Sequence, residues 1–447
     1  MTLSPTSIPR AHPRRVAGVS AVILAALLTI SGCASTGSAP APVGRSVVEV
    51  PGDAATISEA IEAVSPGGLV LVSPGTYLES VTVDKDDVTV RGTDRNSVVI
   101  DGEGLRPNGI QVIADGVRVQ NLTVTNHTFN GVLVTGLHDA NGAQAHSLDG
   151  YTTLDPEKFP PLQRFEVSNV TASNNGLYGI YAFNSQHGVI RDNYASGSAD
   201  SGYYVGQCAN CDILVTGNVA EHNAIGYENA NASDSVLVAA NRFSDNRVGL
   251  TLLSWYQEAY LPQRAATVVG NVIADNASGD SPAQANGAFG VGIGLSGANQ
   301  NVIERNLIAD NPSSGVQLTN TEDLSSEGNR LIDNVFESNG VDVADLSAPR
   351  APASDNCVSP TDTVSFLPAG LAAACGSTSV SGSRAQLPAL DVPRGVSFLK
   401  IAAGPRQLGM AGDVRDVPAA LPGTVTFPEL DTIAVPDRSF LEELTRG

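Results

Sequence analysis

The chain has 447 residues, 42% of them apolar and 5% aromatic, with 45 glycines, a composition suited to many turns and slender strands rather than bulky helices. Its formal charge is −21, from 25 Lys and Arg against 46 Asp and Glu, which argues against nucleic acid as a partner. A polyanionic glycan is repelled as well unless a divalent cation such as calcium bridges it to the protein, and no other cofactor signature is evident.

Residues 1–32 read as an export signal. Arg10, Arg14 and Arg15 form a basic start, followed by the apolar run "VAGVSAVILAALLTI", which is short and wrongly flanked for a membrane span. The ending "ISGC", Ile30 to Cys33, resembles a bacterial lipobox. That resemblance implies that Cys33 is the mature N-terminus and carries a lipid into the membrane; the alternative is an ordinary signal peptide with an incidental cysteine. Residues 33–45, including "STGSAPAPVG", form a flexible tether. The expected location is therefore extracytoplasmic, on a bacterial membrane.

The folded part begins near residue 46. In "TISEAIEAVSPGGLVLVSPGTYLESVTV" the residues Ile57, Ala60, Ile61 and Val64 share one helical face, with Thr56 or Ser58 as cap and Pro66-Gly67-Gly68 as stop. The expectation is a short helix that covers the open edge of the strands after it.

From there a glycine-led pattern returns: "GIQVIA" at Gly109, "GVLVTG" at Gly131, "GIYAFN" at Gly179, "GYYVGQ" at Gly202, "GYENAN" at Gly226, "GLTLLS" at Gly249, "GIGLSG" at Gly292, "GVQLTN" at Gly315 and "GVDVAD" at Gly340. Successive gaps are 22, 48, 23, 24, 23, 43, 23 and 25 residues. Asparagine recurs in phase, at Asn193, Asn218, Asn241, Asn271, Asn306 and Asn334, and again at Asn175, Asn223, Asn246 and Asn311. Asn and Gly tolerate left-handed backbone, so they are read as corners between short strands. One such coil cannot bury its own apolar face, but parallel stacking covers each coil with the next. The predicted fold is all-β: a right-handed parallel β-helix over residues 46–346, with the short N-terminal capping helix. Residues 347–379 form a disulfide-containing C-terminal cap, and residues 380–447 a Pro-rich, partly ordered tail. Its Phe398, Leu399, Ile401, Phe427 and Ile433 call for burial.

"AIEAVSPGGLVLVSPGTYLESVTV", "VVIDG" and the Asn/Gly coils resemble the pectin-lyase-like superfamily of right-handed β-helix proteins over roughly residues 46–346. The superfamily includes polysaccharide lyases, hydrolases, alginate epimerases and NosD-like periplasmic proteins, so the resemblance implies a fold and leaves the chemistry open. The central coils are also similar to a bacterial group of exported β-helix proteins.

The two double-length gaps carry long loops, Leu137–Arg164 and Ser254–Arg264, which leave the coils at the same phase. A third insert spans Asn276–Phe289. Long loops on a rigid scaffold are common places for function. Four coil steps of about 4.8 Å set the two in-phase loops roughly 19 Å apart, enough for three or four sugar rings. Alternation turns Tyr181, Tyr204 and Glu228 outward between them, below loops that carry His138, His146, Asp149, Trp255 and Tyr256, with Asp200 and Gln207 flanking the same strands. Aromatic faces with carboxylates suit sugar recognition; the competing reading is that the tyrosines merely pack beneath the loops. Asp200 and Glu228 form the candidate catalytic pair, and Tyr181, Tyr204, Gln207, Trp255 and Tyr256 the candidate substrate contacts.

Four cysteines remain beyond Cys33. Cys208 with Cys211, in "CANC", and Cys357 with Cys375 are expected as two local disulfides. A redox or copper role for "CANC" is the alternative to the first. The overall expectation is a monomeric, lipid-anchored β-helix that binds a polysaccharide, with cleavage as a polysaccharide lyase or hydrolase left open. The rivals are a non-catalytic accessory protein of the NosD-like kind and a surface adhesin.

Overall fold

The computed structural model describes residues 44–139, 142–143, 155, 157–283, 287–360, 363–368, 375, 386–387 and 389–446. The export signal, Cys33, His146 and Asp149 lie outside them. The described residues form a parallel β-helix whose strands stack into sheets of twelve, eleven and ten strands. Each coil gives one strand to each sheet. In one coil these are Ile180–Phe183, Ser185–Arg191 and Tyr194–Ser196; in the next, Ser201–Ala209, Ile213–Thr216 and Val219–Glu221. Equivalent residues pair in register from coil to coil, so Ile180, Tyr203, Tyr227, Leu250, Ile293, Val316 and Val343 form one inward column. All are buried. Each such side chain contributes on the order of 1.5–3 kcal/mol by leaving water, and every coil lends its neighbour the cover it could not supply alone.

Glycine and asparagine keep the period for a reason other than backbone handedness. None of the nine recurring glycines has a positive φ. Their need is clearance: a Cβ on Gly226 would lie 2.5 Å from the Gly249 carbonyl oxygen and 2.9 Å from the Asn246 amide nitrogen. The left-handed corner falls one residue before each asparagine, at Asp192, Gly217, Ala240, Gly270, Arg305 and Asp333, with φ between 50° and 65°. The asparagines themselves stack. Asn193, Asn218, Asn241, Asn271, Asn306 and Asn334 form a chain in which each Nδ2 donates to the next Oδ1 at 2.9–3.0 Å. A second chain runs through Asn223, Asn246, Asn276, Asn311 and Asn339. These side chains also donate to backbone carbonyls of the preceding coil, those of Ile190, Val215, Val238 and Val268.

The helix Ile57–Ala63 packs Ile57, Ala60 and Ile61 against the first coil. Thr56 is its cap, closed by a capping box with Glu59. It ends earlier than expected: the strand Val64–Val72 already runs through Pro66-Gly67-Gly68, because Val64 is drawn into the core. At the other end the coils outlast the glycine rhythm. Cys357–Ser359 and Phe366–Leu367 still pair with the coil below, so the solenoid continues past 346.

The described part of the tail is ordered against the solenoid. From residue 389 it runs along the outside of the solenoid to the first coil, where Arg415 pairs with Glu49 at 2.6 Å, and then returns. Its backbone carbonyls receive the guanidinium groups of Arg91, Arg95, Arg242 and Arg305. Val425, Phe427, Leu430 and Ile433 cover outward Leu214, Leu237, Ala239 and Val269 of the twelve-stranded sheet; Val435 and Phe440 cover Val272, Ala274, Leu307 and Ala309 of the ten-stranded sheet. Ile401 is buried, while Leu399 stays exposed. The outer face of the eleven-stranded sheet is left for the long loops.

Candidate functional site

The loop Ser254–Arg264 folds back over the coils before it. Asn231, itself in a left-handed conformation, grips the loop: its Oδ1 accepts the Trp255 N–H at 2.7 Å, and its Nδ2 donates to the carbonyls of Trp255 and Glu258 at 2.8 and 3.0 Å. Gln207 accepts the Ala259 N–H at 3.1 Å. Buried and used in this way, Gln207 positions the loop and does not line the cleft.

The interval between the two in-phase loops is closed by aromatic packing. Tyr181 and Tyr204 pair in register and point outward, as the alternation predicts. Yet they are only 4% and 2% exposed. They pack with Leu137 and Phe159 of one loop and with Ala259 and Tyr260 of the other. Tyr178, Tyr181 and Tyr204 sit with ring centroids 4.4–4.8 Å apart. Tyr181 thus belongs to the wedge beneath the loops rather than to an open floor. Tyr256 donates to Asp323, two coils further on, and lies outside the cleft lining. His138 is exposed and borders a separate recess with Lys158.

The open cleft lies further along the sheet. It has a volume of about 400 Å³, and its floor is the outward column Tyr204, Glu228, Thr251, Gly294 and Gln317, each paired with the next. Trp255, 42% exposed, stands at the rim. Tyr178 and Asp200 line one side, and Glu258 enters from the loop.

Three carboxyl groups therefore share one cleft. The Ser201 hydroxyl lies 2.7 Å from Glu228 Oε2 and 3.5 Å from Asp200 Oδ1, so one small group touches both members of the expected pair. Tyr178 hydrogen-bonds Asp200, and the Tyr204 hydroxyl donates to Glu258 Oε1. Burial pushes all three acids up. Asp200 rises to about 6, restrained by its bonds to Tyr178 and Ser201. Glu258 rises to about 8, restrained by Tyr204. Glu228 is held well above the usual carboxylate range by burial and then by the Asp200 charge. The same surroundings keep Tyr178, Tyr181 and Tyr204 protonated. Such a set can give and accept protons near neutrality. Glu258 was not among the residues expected from sequence, although it is the only acid in "SWYQEAYLPQR".

Among the described residues no group of three or more His, Cys, Asp or Glu side chains is placed to hold a metal ion. The acids are arranged around tyrosines and a serine. Cys208 is bonded to Cys211 and Cys357 to Cys375, so "CANC" is a disulfide at the end of the strand Ser201–Ala209.

Solved structures of similar shape include the A-module of a mannuronan C-5 epimerase from Azotobacter vinelandii, 17% identical, covering 71% of this chain and 93% of its own, with a TM-score of 0.41. A pectate lyase is 15% identical over 59% of this chain and 76% of its own, TM-score 0.37. DFA-IIIase from Arthrobacter chlorophenolicus, without its lid, is 13% identical over 74% and 99%, TM-score 0.42. No curated protein matches the chain. The family model described as "right handed beta helix region" matches residues 86–263 and 261–384, the stretch in which the described coils stack, and the chain belongs to that family.

Proposed function

We propose that the protein binds a polysaccharide strand along the cleft of the eleven-stranded sheet and cleaves it, with Asp200 and Glu228 as the acid–base pair. The observation that carries this reading is the buried Ser201 hydroxyl set between the carboxyls of Asp200 and Glu228, at 3.5 and 2.7 Å, two residues that line an open cleft. Five rungs of that floor span about 19 Å, the length of a short oligosaccharide. The rigid stack holds the groups at fixed spacing, so little ordering remains to be done on binding. Unequal surroundings divide the labour: Glu228 keeps its proton and serves as general acid, while Asp200 is the first to ionise and serves as nucleophile or base. Retaining pairs stand roughly 5–5.5 Å apart and inverting pairs roughly 6.5–9.5 Å. A single hydroxyl that reaches both carboxyls favours the short spacing and retention of configuration.

The test is a glycan array with a reducing-end assay on the chain from Cys33 onward. Glu228→Gln and Asp200→Asn are each expected to lower turnover by at least about 100-fold, the usual scale for general acid–base groups, with affinity kept within a few fold. Unchanged turnover in both variants, or no glycan bound by the wild type, refutes the assignment.

The place of action in this reading is the outer side of a bacterial membrane, with Cys33 as the lipid-bearing residue. The "ISGC" sequence supports it, and two disulfides suit an oxidising compartment. Cys33→Ser is expected to move the protein from the membrane fraction to the soluble one. Membrane association that survives the change, without acyl modification of the wild type, overturns the anchor.

A further inference from the structure

Bond cleavage needs two carboxyl groups, and the cleft has a third. Glu258 is 9% exposed, lines the cleft, and is bound through Oε1 to Tyr204, but its Oε2, itself buried, has no hydrogen-bond partner among the described residues. It is not a loose loop residue: Asn231 and Gln207 fasten the backbone on either side of its carboxyl to the solenoid. Among the described residues no Lys, Arg or His lines the cleft beside the three acids. A buried acid with one oxygen unused is costly unless a donor arrives to meet it.

We propose that this donor is the protonated amine of a sugar, so that the cleft takes a hexosamine-containing glycan with free amino groups and Glu258 is its specificity residue. The inference rests on the glycan reading above and names its substrate class. A uronate strand would bring further negative charge against described lining residues that include no cation, on a chain whose formal charge is −21. A neutral strand would offer Glu258 no charged donor to draw its proton away. An ammonium answers both: it donates to the free oxygen once the carboxyl turns Oε2 into the cleft, and it sits among Tyr178, Tyr204 and Trp255, whose rings attract cations. In the empty cleft Glu258 holds its proton, because burial raises it to about 8. A bound ammonium favours the carboxylate, so the proton leaves Glu258 for solvent as the ion pair forms.

The experiment is calorimetric titration at pH 7 with three oligosaccharides of equal length: glucosamine, N-acetylglucosamine and galacturonate oligomers. Two buffers of different ionisation enthalpy report proton release. The wild type is expected to bind the glucosamine oligomer at least about tenfold more tightly than its N-acetylated counterpart, releasing protons. Glu258→Gln, which keeps an oxygen for Tyr204, is expected to bring the two affinities within about twofold and to reduce the release. Equal or tighter binding of the N-acetylated or galacturonate oligomer by the wild type overturns the amine assignment and leaves glycan binding standing. A preference undiminished in Glu258→Gln also overturns it. Binding of none of the three, with none on the wider array, removes both readings.

Discussion

Replacing Glu258 by Gln should stabilise the protein at alkaline pH and change it little at acid pH. In the folded chain Glu258 is 9% exposed and its carboxyl is pushed from 4.5 to about 8, while in the unfolded chain it ionises in the ordinary range. Below about pH 4.5 both states hold the proton and the residue costs nothing. Between there and about pH 8 only the folded state holds it, so stability falls steadily as pH rises. At about 1.36 kcal/mol per pH unit, the accumulated penalty at pH 8 is on the order of 4–5 kcal/mol. Asp200 and Glu228 shift in the same direction, so the variant should remove only the share that belongs to Glu258. Gln cannot ionise, and its amide oxygen can still accept the Tyr204 hydroxyl. Urea unfolding followed by circular dichroism at pH 5, 7 and 8.5 measures the effect. The variant should match the wild type within about 1 kcal/mol at pH 5 and exceed it by about 3–5 kcal/mol at pH 8.5. Parallel curves for the two proteins, or a variant that is weaker at pH 8.5, would show that Glu258 ionises freely and that its burial has been misjudged.

Two further substitutions separate scaffold from site. Asn241→Ala removes the acceptor for the Asn218 N–H and Nδ2 and the donor to Val215 O, Ala239 O and Asn271 Oδ1. With buried partners left over, the cost should be about 3–5 kcal/mol. Asn334→Ala, at the half-buried end of the same chain, should cost less than half as much; equal losses in urea unfolding would contradict the role given to the stack. Tyr181→Ala should cost about 3–5 kcal/mol as a buried aromatic deletion while leaving glycan affinity within about twofold. Weakened binding in a fully stable variant would instead put Tyr181 in the cleft.

The solenoid could be read from the chain because its period is imposed by stacking: Gly226 has no room for a side chain, and the asparagines recur because each bonds the one above. The handedness argument picked the right neighbourhood for the wrong residues, since Asp192 or Ala240 makes the corner and Asn193 or Asn241 satisfies it. The register that placed Tyr181, Tyr204 and Glu228 outward also places Thr251, Gly294 and Gln317 two residues after their coil glycines, so the true floor was within reach. What local pattern could not reveal was the path of the loops. Their closure over Tyr181 depends on Asn231 and Gln207 catching backbone from a loop about 25–50 residues further along the chain, and nothing in alternation encodes such a meeting. The tail was equally hidden, since its partners are single outward side chains scattered over the whole array.

A stack of coils is held together only by adjacent layers, and such an array can fray from either end, layer by layer. The tail changes that. One continuous segment touches Glu49 in the first strand and Asp310 near the far end, and its outgoing and returning passes meet where the Gln407 amide donates to the Leu444 carbonyl at 2.8 Å. The first coil cannot peel away without also loosening a segment that grips the middle. The first coil thereby melts together with the centre, and the coils from Glu49 to Asp310 behave as one cooperative unit. Because that segment's partners are spread over many coils, it can close only where those coils are already stacked.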